Sequence, residues 1–541
     1  MPLRELSVSD AAKVAKQELF FDTRSVSQIL AALKPVTEPL PPEEARITVH
    51  AAVSRISVLY ERIRNAVEYR EEHLLRKWAI LRILRRQFIL EGDPVMIAHN
   101  LIRELIAALY LPNETLPESL VEDVAWIVRK YQAMSAAGIA SGKTMQWVMG
   151  IVAAEIEEVV APPRVEKALV TFLYQKLSDR IYVKGSNMDD AERRLQIFTA
   201  CFRTFVKADE EQVAYKLVRA YVPEWVRPSE WIDDPMAVAE KLIGARTRIF
   251  AYLHSPLTQR FIRAVRPWSV SLWMLREAVE QETERGALLS SRSDTHSAVE
   301  GITAKREQQA RGKVLRGTIR AMIYLLITKI VFALAIEVPA EYYLYGSFSK
   351  FALGVNIALP PTVMLVVGIF IKRPGMSNRK RILEHVDGLL MAEGPTRYDI
   401  RMPRKRSAGS AFVFGLLYLA MFCITFGLIG QQLLRLEFTP VAITVFFFFL
   451  CLVSFFGYRL RLAAREIIVV KPREHLLNAI GDFLALPLLR AGRWLSNSIS
   501  RINVFAFILD VVFEAPLKIF LGALEESLRF IREKKEELSD E

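Results

Sequence analysis

The stretch Ala321–Ala340, AMIYLLITKIVFALAIEVPA, decides the fold. As a helix rising about 1.5 Å per residue, it is about 30 Å long, the thickness of a bilayer's hydrocarbon core. Three further stretches repeat the pattern: Phe351–Ile371 (FALGVNIALPPTVMLVVGIFI), Ala411–Gly430 (AFVFGLLYLAMFCITFGLIG) and Val441–Tyr458 (VAITVFFFFLCLVSFFGY). The chain therefore reads as a membrane protein with four spans.

The bases between the spans orient it. Lys305, Arg306, Arg311, Lys313, Arg316 and Arg320 precede the first span, against the single acid Glu307. Lys372, Arg373, Arg379, Lys380, Arg381, Arg397, Arg401, Arg404, Lys405 and Arg406 separate the second from the third, and Arg459, Arg461, Arg465, Lys471 and Arg473 follow the fourth. The other two connections hold only Lys350 and Arg435 as bases, beside Glu337, Glu341 and Glu437. By the positive-inside rule the dense connections and both termini are cytoplasmic.

The formal charge of +12 resembles that of a nucleic-acid binder until it is divided at Gly317. The part before it carries 45 bases and 41 acids, the part from it onward 27 and 19. Most of the excess thus belongs to the membrane region, where anionic headgroups attract each nearby base by about 1 kcal/mol. The expected lipid contacts are Lys372, Arg373, Arg379, Lys380, Arg381, Arg404, Lys405, Arg406, Arg459 and Arg461. No basic stripe suited to a phosphate backbone remains, so nucleic acid is not an expected partner.

The first 300 or so residues show helical periodicity throughout. Val53, Ile56, Tyr60, Ile63, Val67, Leu74, Trp78, Leu81, Leu84 and Phe88 recur at steps of three, four or seven, and Gly92-Asp93-Pro94 ends that helix. Further helices are expected up to Arg285, separated by Pro or Gly, and no alternating strand pattern is long enough to count. The fold class is all-α: a large cytoplasmic helical domain, a four-helix transmembrane region and an amphipathic helical C-terminal tail. The expected divisions are a helical domain (1–222), a helical extension (223–285), a linker (286–316), the span domain (317–458) with a cytoplasmic basic loop (372–409), and the tail (459–541). The linker, rich in Ser, Thr, Arg and Gln, reads as solvated, with the head free to move on it.

Few residues suggest chemistry. Gly138-Ile139-Ala140-Ser141-Gly142-Lys143-Thr144 ends like a phosphate-binding loop, but Ala137 stands where that motif needs Gly, and a helix precedes it instead of a strand. Glu155, Glu157 and Glu158 lack an accompanying Glu-x-x-His, and the seven histidines are scattered. Cys201, Cys423 and Cys451 have no metal or redox spacing. Neither a metal nor a cofactor is expected. Met1-Pro2-Leu3-Arg4-Glu5 lacks the apolar core of a cleavable signal, so internal spans are expected to direct insertion.

Two intramembrane features stand out. Lys329 falls mid-span, where an unpaired charge costs about 2.5 to 3.5 kcal/mol on insertion scales, so it needs a partner or a route to water. Pro360-Pro361 removes two amide donors from the second span, which reads as a simple kink or as a broken helix with Asn356, Pro360, Pro361 and Thr362 as a candidate cavity edge. In the tail, Asp510, Glu514 and Lys518 share a helix face. Asp510 or Glu514 would be the counter-charge for Lys329 if Val504–Leu524 entered the bilayer.

Lys313–Ile336 (KVLRGTIRAMIYLLITKIVFALAI), Asn356–Pro361 (NIALPP) and Arg493–Pro516 (RWLSNSISRINVFAFILDVVFEAP) resemble an uncharacterised multipass membrane family of reduced-genome bacteria. The resemblance covers the last 230 or so residues. It implies a bacterial inner membrane and carries over no activity. The expected role is a membrane scaffold or assembly protein whose head binds a protein partner. Next in order come a transporter or channel using Lys329 and the proline pair, then an enzyme acting on lipid.

Overall fold

The computed structural model describes residues 21–34, 46–49, 71–88, 92–138, 142–185, 188–371, 375–391, 397–402, 408–465, 468–470 and 486–494. In chain order the head contains α1 (Thr23–Ala32), α2 (Glu72–Phe88), α3 (Pro94–Ala107), α4 (Leu120–Ala136), α5 (Gly142–Val160), α6 (Arg164–Ser178), β1 (Ile181–Lys184), α7 (Asp190–Phe205), α8 (Glu210–Tyr221), α9 (Met236–His254), α10 (Pro256–Gln281) and α11 (Arg285–Ser290). Local chemistry sets the helix starts. Asp93 accepts from the amides of Val95 and Met96, with Pro94 in the first turn where no amide donor is needed. Asp209 and Gln212 form a reciprocal capping box at the start of α8.

The head has two apolar cores. The first joins α2 to α5 with α8 and α9 around Ile80, Leu84, Leu101, Leu105, Val124, Val128, Ile151 and Leu217, all fully buried. Each such side chain contributes about 1.5 to 3 kcal/mol on leaving water. Ion pairs cross this core: Lys130 Nζ lies 2.5 Å from Glu155, whose other oxygen accepts from Trp225 Nε1 at 3.0 Å. Trp225 and Trp231 stack in the proline-rich joint between α8 and α9, which forms two short 3-10 turns. The second core gathers α1, α6, α7, α10 and α11 around Ile29, Leu173, Ile197, Phe261 and Leu272. The change of core falls between Leu253 and Leu257, so the expected extension 223–285 is shared between the two.

After α11 the chain enters α12 (Arg292–Phe332), a π-turn at Ala333–Glu337 and α13 (Val338–Tyr345), an unbroken helical run of 54 residues. The expected solvated linker 286–316 is thus corrected: its residues belong to α11 and to a helix that starts in the head and continues into the first span. Its small polar residues form a packing stripe, with Thr295, Val299, Thr303 and Glu307 buried. The Thr295 and Thr303 hydroxyls donate to backbone carbonyls four residues back, which satisfies them without solvent.

The segment between the second and third spans also differs from a loop. It contains α15 (Met376–Leu390) and β2 (Tyr398–Arg401), and Ile382, Val386, Leu389, Leu390 and Ile400 complete the second core of the head. Strand β2 pairs in parallel with β1, from Ile181 opposite Tyr398 to Lys184 opposite Arg401. Strands of four residues, more than 200 positions apart, offer no alternation long enough to read in sequence. After the fourth span, the amides of Val469 and Val470 donate to Asn378 Oδ1 at 2.8 and 3.4 Å. All three base-rich connections therefore reach the head.

Among the described residues four helices are long and apolar enough to cross a membrane: the run ending at Tyr345, α14 (Lys350–Phe370), α16 (Ala408–Arg435) and α17 (Pro440–Arg465). The first, second and fourth form a close bundle around Leu325, Met364, Phe449 and Val453. Near the head, small residues let them approach in a closed ring. A Cβ on Gly368 would collide with Thr318 of the first span, one on Gly457 would meet Val367 of the second at 2.7 Å, and one on Gly317 would meet Leu460 of the fourth at 2.5 Å. The third span meets the fourth chiefly near its far end, through Phe426 and Phe447. Its Phe412, Leu417 and Leu419 face outward, as lipid-facing side chains do. Residues 486–494 form a helix against the spans, with Gly492 at the Cys451 carbonyl and the Arg490 guanidinium 4.8 Å from the Tyr418 ring centroid. This part of the expected cytoplasmic tail is thus packed on the bundle.

Candidate functional site

The bundle encloses a polar cluster away from the head. Lys329, fully buried, places Nζ 2.8 Å from Glu337 Oε2 and 4.9 Å from the Phe449 ring centroid. Asn356 of α14, also fully buried, donates through Nδ2 to Glu337 Oε1 and, at 3.3 Å, to the Ala442 carbonyl of α17. One turn beyond Glu337, the buried Glu341 accepts the Thr439 hydroxyl. Thr439 Oγ1 in turn accepts the Ala442 amide at 3.1 Å, capping α17. Residues of the first, second and fourth spans thus converge on two carboxylates.

The π-turn makes this geometry. On a regular helix, at about 100° per residue, Glu337 would sit about 80° around the axis from Lys329. The extra residue in the i→i+5 turn over Ala333–Glu337 makes the spacing equivalent to seven residues, about 20° out of line. The carboxylate therefore comes onto the lysine's face. Pairing offsets the cost of holding the ammonium in an apolar bundle.

The other expected site residues fall elsewhere. Pro360 and Pro361 are buried within α14, which is helical from Lys350 to Phe370, so the expected broken second span is corrected to a continuous helix. Thr362 is exposed, and its hydroxyl donates to the Ala358 carbonyl at 2.8 Å instead of facing Lys329. Arg379 turns into the head, donating to Glu307 Oε2 at 2.9 and 2.7 Å, which corrects its assignment to lipid. Lys380 is exposed, Arg381 pairs with Glu384 at 2.7 Å, Arg459 lies 5.7 Å from the Phe455 ring centroid, and Arg461 is half-buried. Lys372, Arg373, Arg404, Lys405, Arg406, Asp510 and Glu514 lie outside the described residues.

The head has its own cleft, a cavity of about 420 Å³ between the two cores, lined by His73, Arg76, Glu157, Lys216, Tyr215 and Trp273 among others. Its charges are largely paired within the fold. Arg76 meets Glu157 at 2.9 Å, Lys216 meets Glu158, Lys207 meets Glu71 at 2.6 Å and Arg276 meets Glu166 at 2.9 Å. Burial raises the Glu157 carboxyl against the pull of Arg76, lowers the Lys216 ammonium against Glu158, and lowers His73. Glu155, Glu157 and Glu158 are all taken up by such pairs. Among the described residues no group of His, Cys, Asp and Glu is arranged to hold a metal ion. The phosphate-loop look-alike leads into α5, which begins at Gly142; residues 139–141 lie outside the described ones.

No protein family, curated protein or solved structure matches the chain. The site must therefore be read from its own geometry. Two carboxylates, one ammonium and one amide can hold and exchange a small cation, and they include no activated nucleophile. Sequence reading singled out Lys329 and Asn356 but placed Glu337 and Glu341 in a connecting loop. The signal that could have found them is the pairing need of Lys329, since these are the nearest acids on its own helix.

Proposed function

We propose that the chain is an integral membrane scaffold of a bacterial inner membrane, presenting a large cytoplasmic helical head to a protein partner. The observation that carries this reading is the joining of head and bundle. α12 leaves the second core and becomes the first span, while α15 returns from the second span into that same core. A head built this way is a fixed platform and does not swing on a tether.

Three other observations support the reading. The base-rich connections on the head's side favour a cytoplasmic head, with both termini inside and anionic headgroups beside Lys380 and Arg459. The cleft in the head has its charges committed to structural pairs. On α9, Met236, Ile243 and Phe250 stand exposed at seven-residue intervals, an apolar stripe of the kind a partner helix covers. The test is affinity capture of the full chain from gently solubilised membranes, followed by mass spectrometry. A reproducible partner lost in the Ile243→Asp, Phe250→Asp double variant is expected; no partner, together with solute flux in vesicles, would overturn the scaffold.

A transporter is the second reading, favoured by the buried Lys329, Glu337 and Asn356. It predicts flux in proteoliposomes that is lost in Lys329→Ala while insertion remains normal.

A further inference from the structure

We infer that Glu337 and Glu341 together hold one exchangeable proton inside the bundle, on the side away from the head. Two independent deficits point to it. The first is charge. Glu337 and Glu341 are one turn apart on the same helix and 1% and 4% exposed, and among the described residues the only ammonium or guanidinium paired with either is Lys329. The other described charges at that end, Lys350, Arg435 and Glu437, are exposed. Among the described residues the second carboxylate has no paired counter-charge, and one proton held between the two balances the charge of the cluster.

The second deficit is hydrogen bonding. Asn356 is held by two donations from Nδ2, one of them to Glu337, and its Oδ1 is buried without a hydrogen-bond partner among the described residues. Among the described groups around it, the carboxylates and the Ala442 carbonyl accept, the Thr439 hydroxyl donates to Glu341, and the Lys329 ammonium donates to Glu337 over the Phe449 face. A protonated carboxyl adds an O–H donor where an ionised pair has none. One proton therefore removes the excess charge and adds a donor to a cluster short of one.

The inference does not depend on the scaffold reading, because the site exists whether or not a partner binds the head. Its rule is numerical: protons held equal buried carboxylates minus ammonium groups. Dicyclohexylcarbodiimide tests this, because a protonated carboxyl adds across its carbodiimide bond and rearranges to a stable acylurea without a further reagent. The full-length chain in liposomes is treated and cut after Lys and Arg, and the peptide carrying both glutamates is weighed, Ile330 to Lys350 or, in Lys329→Met, Ala321 to Lys350. One label per chain is expected. Either single variant, Glu337→Gln or Glu341→Gln, should abolish it, since one carboxylate then faces one ammonium, whereas Lys329→Met should raise it to two. No label on the native chain overturns the proposal, as does half-labelling in each Gln variant, which would mean two independent acids. Protection by sodium would also overturn it, assigning the site to an alkali cation.

Discussion

Arg379 of the inter-span helix α15 closes on Glu307 of the long helix α12, donating through Nε and Nη2 to the same carboxylate oxygen at 2.9 and 2.7 Å. The Glu307 side chain is 2% exposed. The pair, with Arg292 and His296 on Asp387 at 2.6 and 2.7 Å, fastens the returning segment to the helix that becomes the first span.

Removing one partner should cost more than removing both. Arg379→Ala leaves a buried, uncompensated carboxylate and is expected to destabilise the head by roughly 3 kcal/mol, at the lower end of the range for broken buried pairs because Arg379 is partly exposed. The Arg379→Met, Glu307→Gln double variant should recover most of that. Denaturant titration of the detergent-solubilised chain, followed by tryptophan fluorescence, measures both. Equal losses in the single and double variants would show that the pair does not couple the helices.

His385 of α15 makes head stability depend on pH. Burial against Trp268, with ring centroids 4.3 Å apart, and the nearby Arg381 push it down from 6.5 to about 4. A histidine lowered in the folded state stays neutral there while the unfolded chain takes the proton, so stability falls as pH drops from about 6.5 towards about 4. The slope is at most about 1.4 kcal/mol per pH unit. His385→Gln should flatten it, leaving a smaller slope of the same sign from His73, which burial also lowers. Thermal midpoints at several pH values check the slope.

The four apolar helices and the helical class were legible because length and composition alone fix them. What escaped was packing between distant segments. In α15, Ile382, Val386, Leu389 and Leu390 already carry an apolar stripe, but the arginines and lysines around them drew the reading towards lipid. In α12, threonines that satisfy their hydroxyls on the helix's own backbone looked like a solvated linker. Glu337 was hidden for a different reason: a single π-turn changes which residues share a face, and periodicity counted at 3.6 residues per turn does not show it.

The glycine ring near the head should not tolerate even a methyl group. At Gly368 an added Cβ runs into the Thr318 side chain, which is buried and whose hydroxyl is bonded to the Val314 carbonyl. Thr318 cannot swing away without giving up that bond. Gly368→Ala is therefore expected to destabilise the bundle by about 1 to 3 kcal/mol, the usual cost of overpacking. The pair Gly368→Ala, Thr318→Ala should recover much of it. Thermal aggregation in detergent reads out both.

The proline pair of the second span gives the opposite expectation. Pro360 and Pro361 sit inside a continuous helix, so each deprives that helix of an amide donor without opening a break. Pro360→Ala restores a donor for the Asn356 carbonyl, and in a helix interior proline is about 3 kcal/mol less favourable than alanine. Part of that gain is lost because the ring is buried and its removal leaves a small void. The expected result is a thermal midpoint equal to or above that of the native chain, with the Ile330–Lys350 peptide still taking a single carbodiimide label. A large loss of stability or of label would mean that the prolines shape the polar cluster, and that the second span does not serve simply as a straight wall beside it.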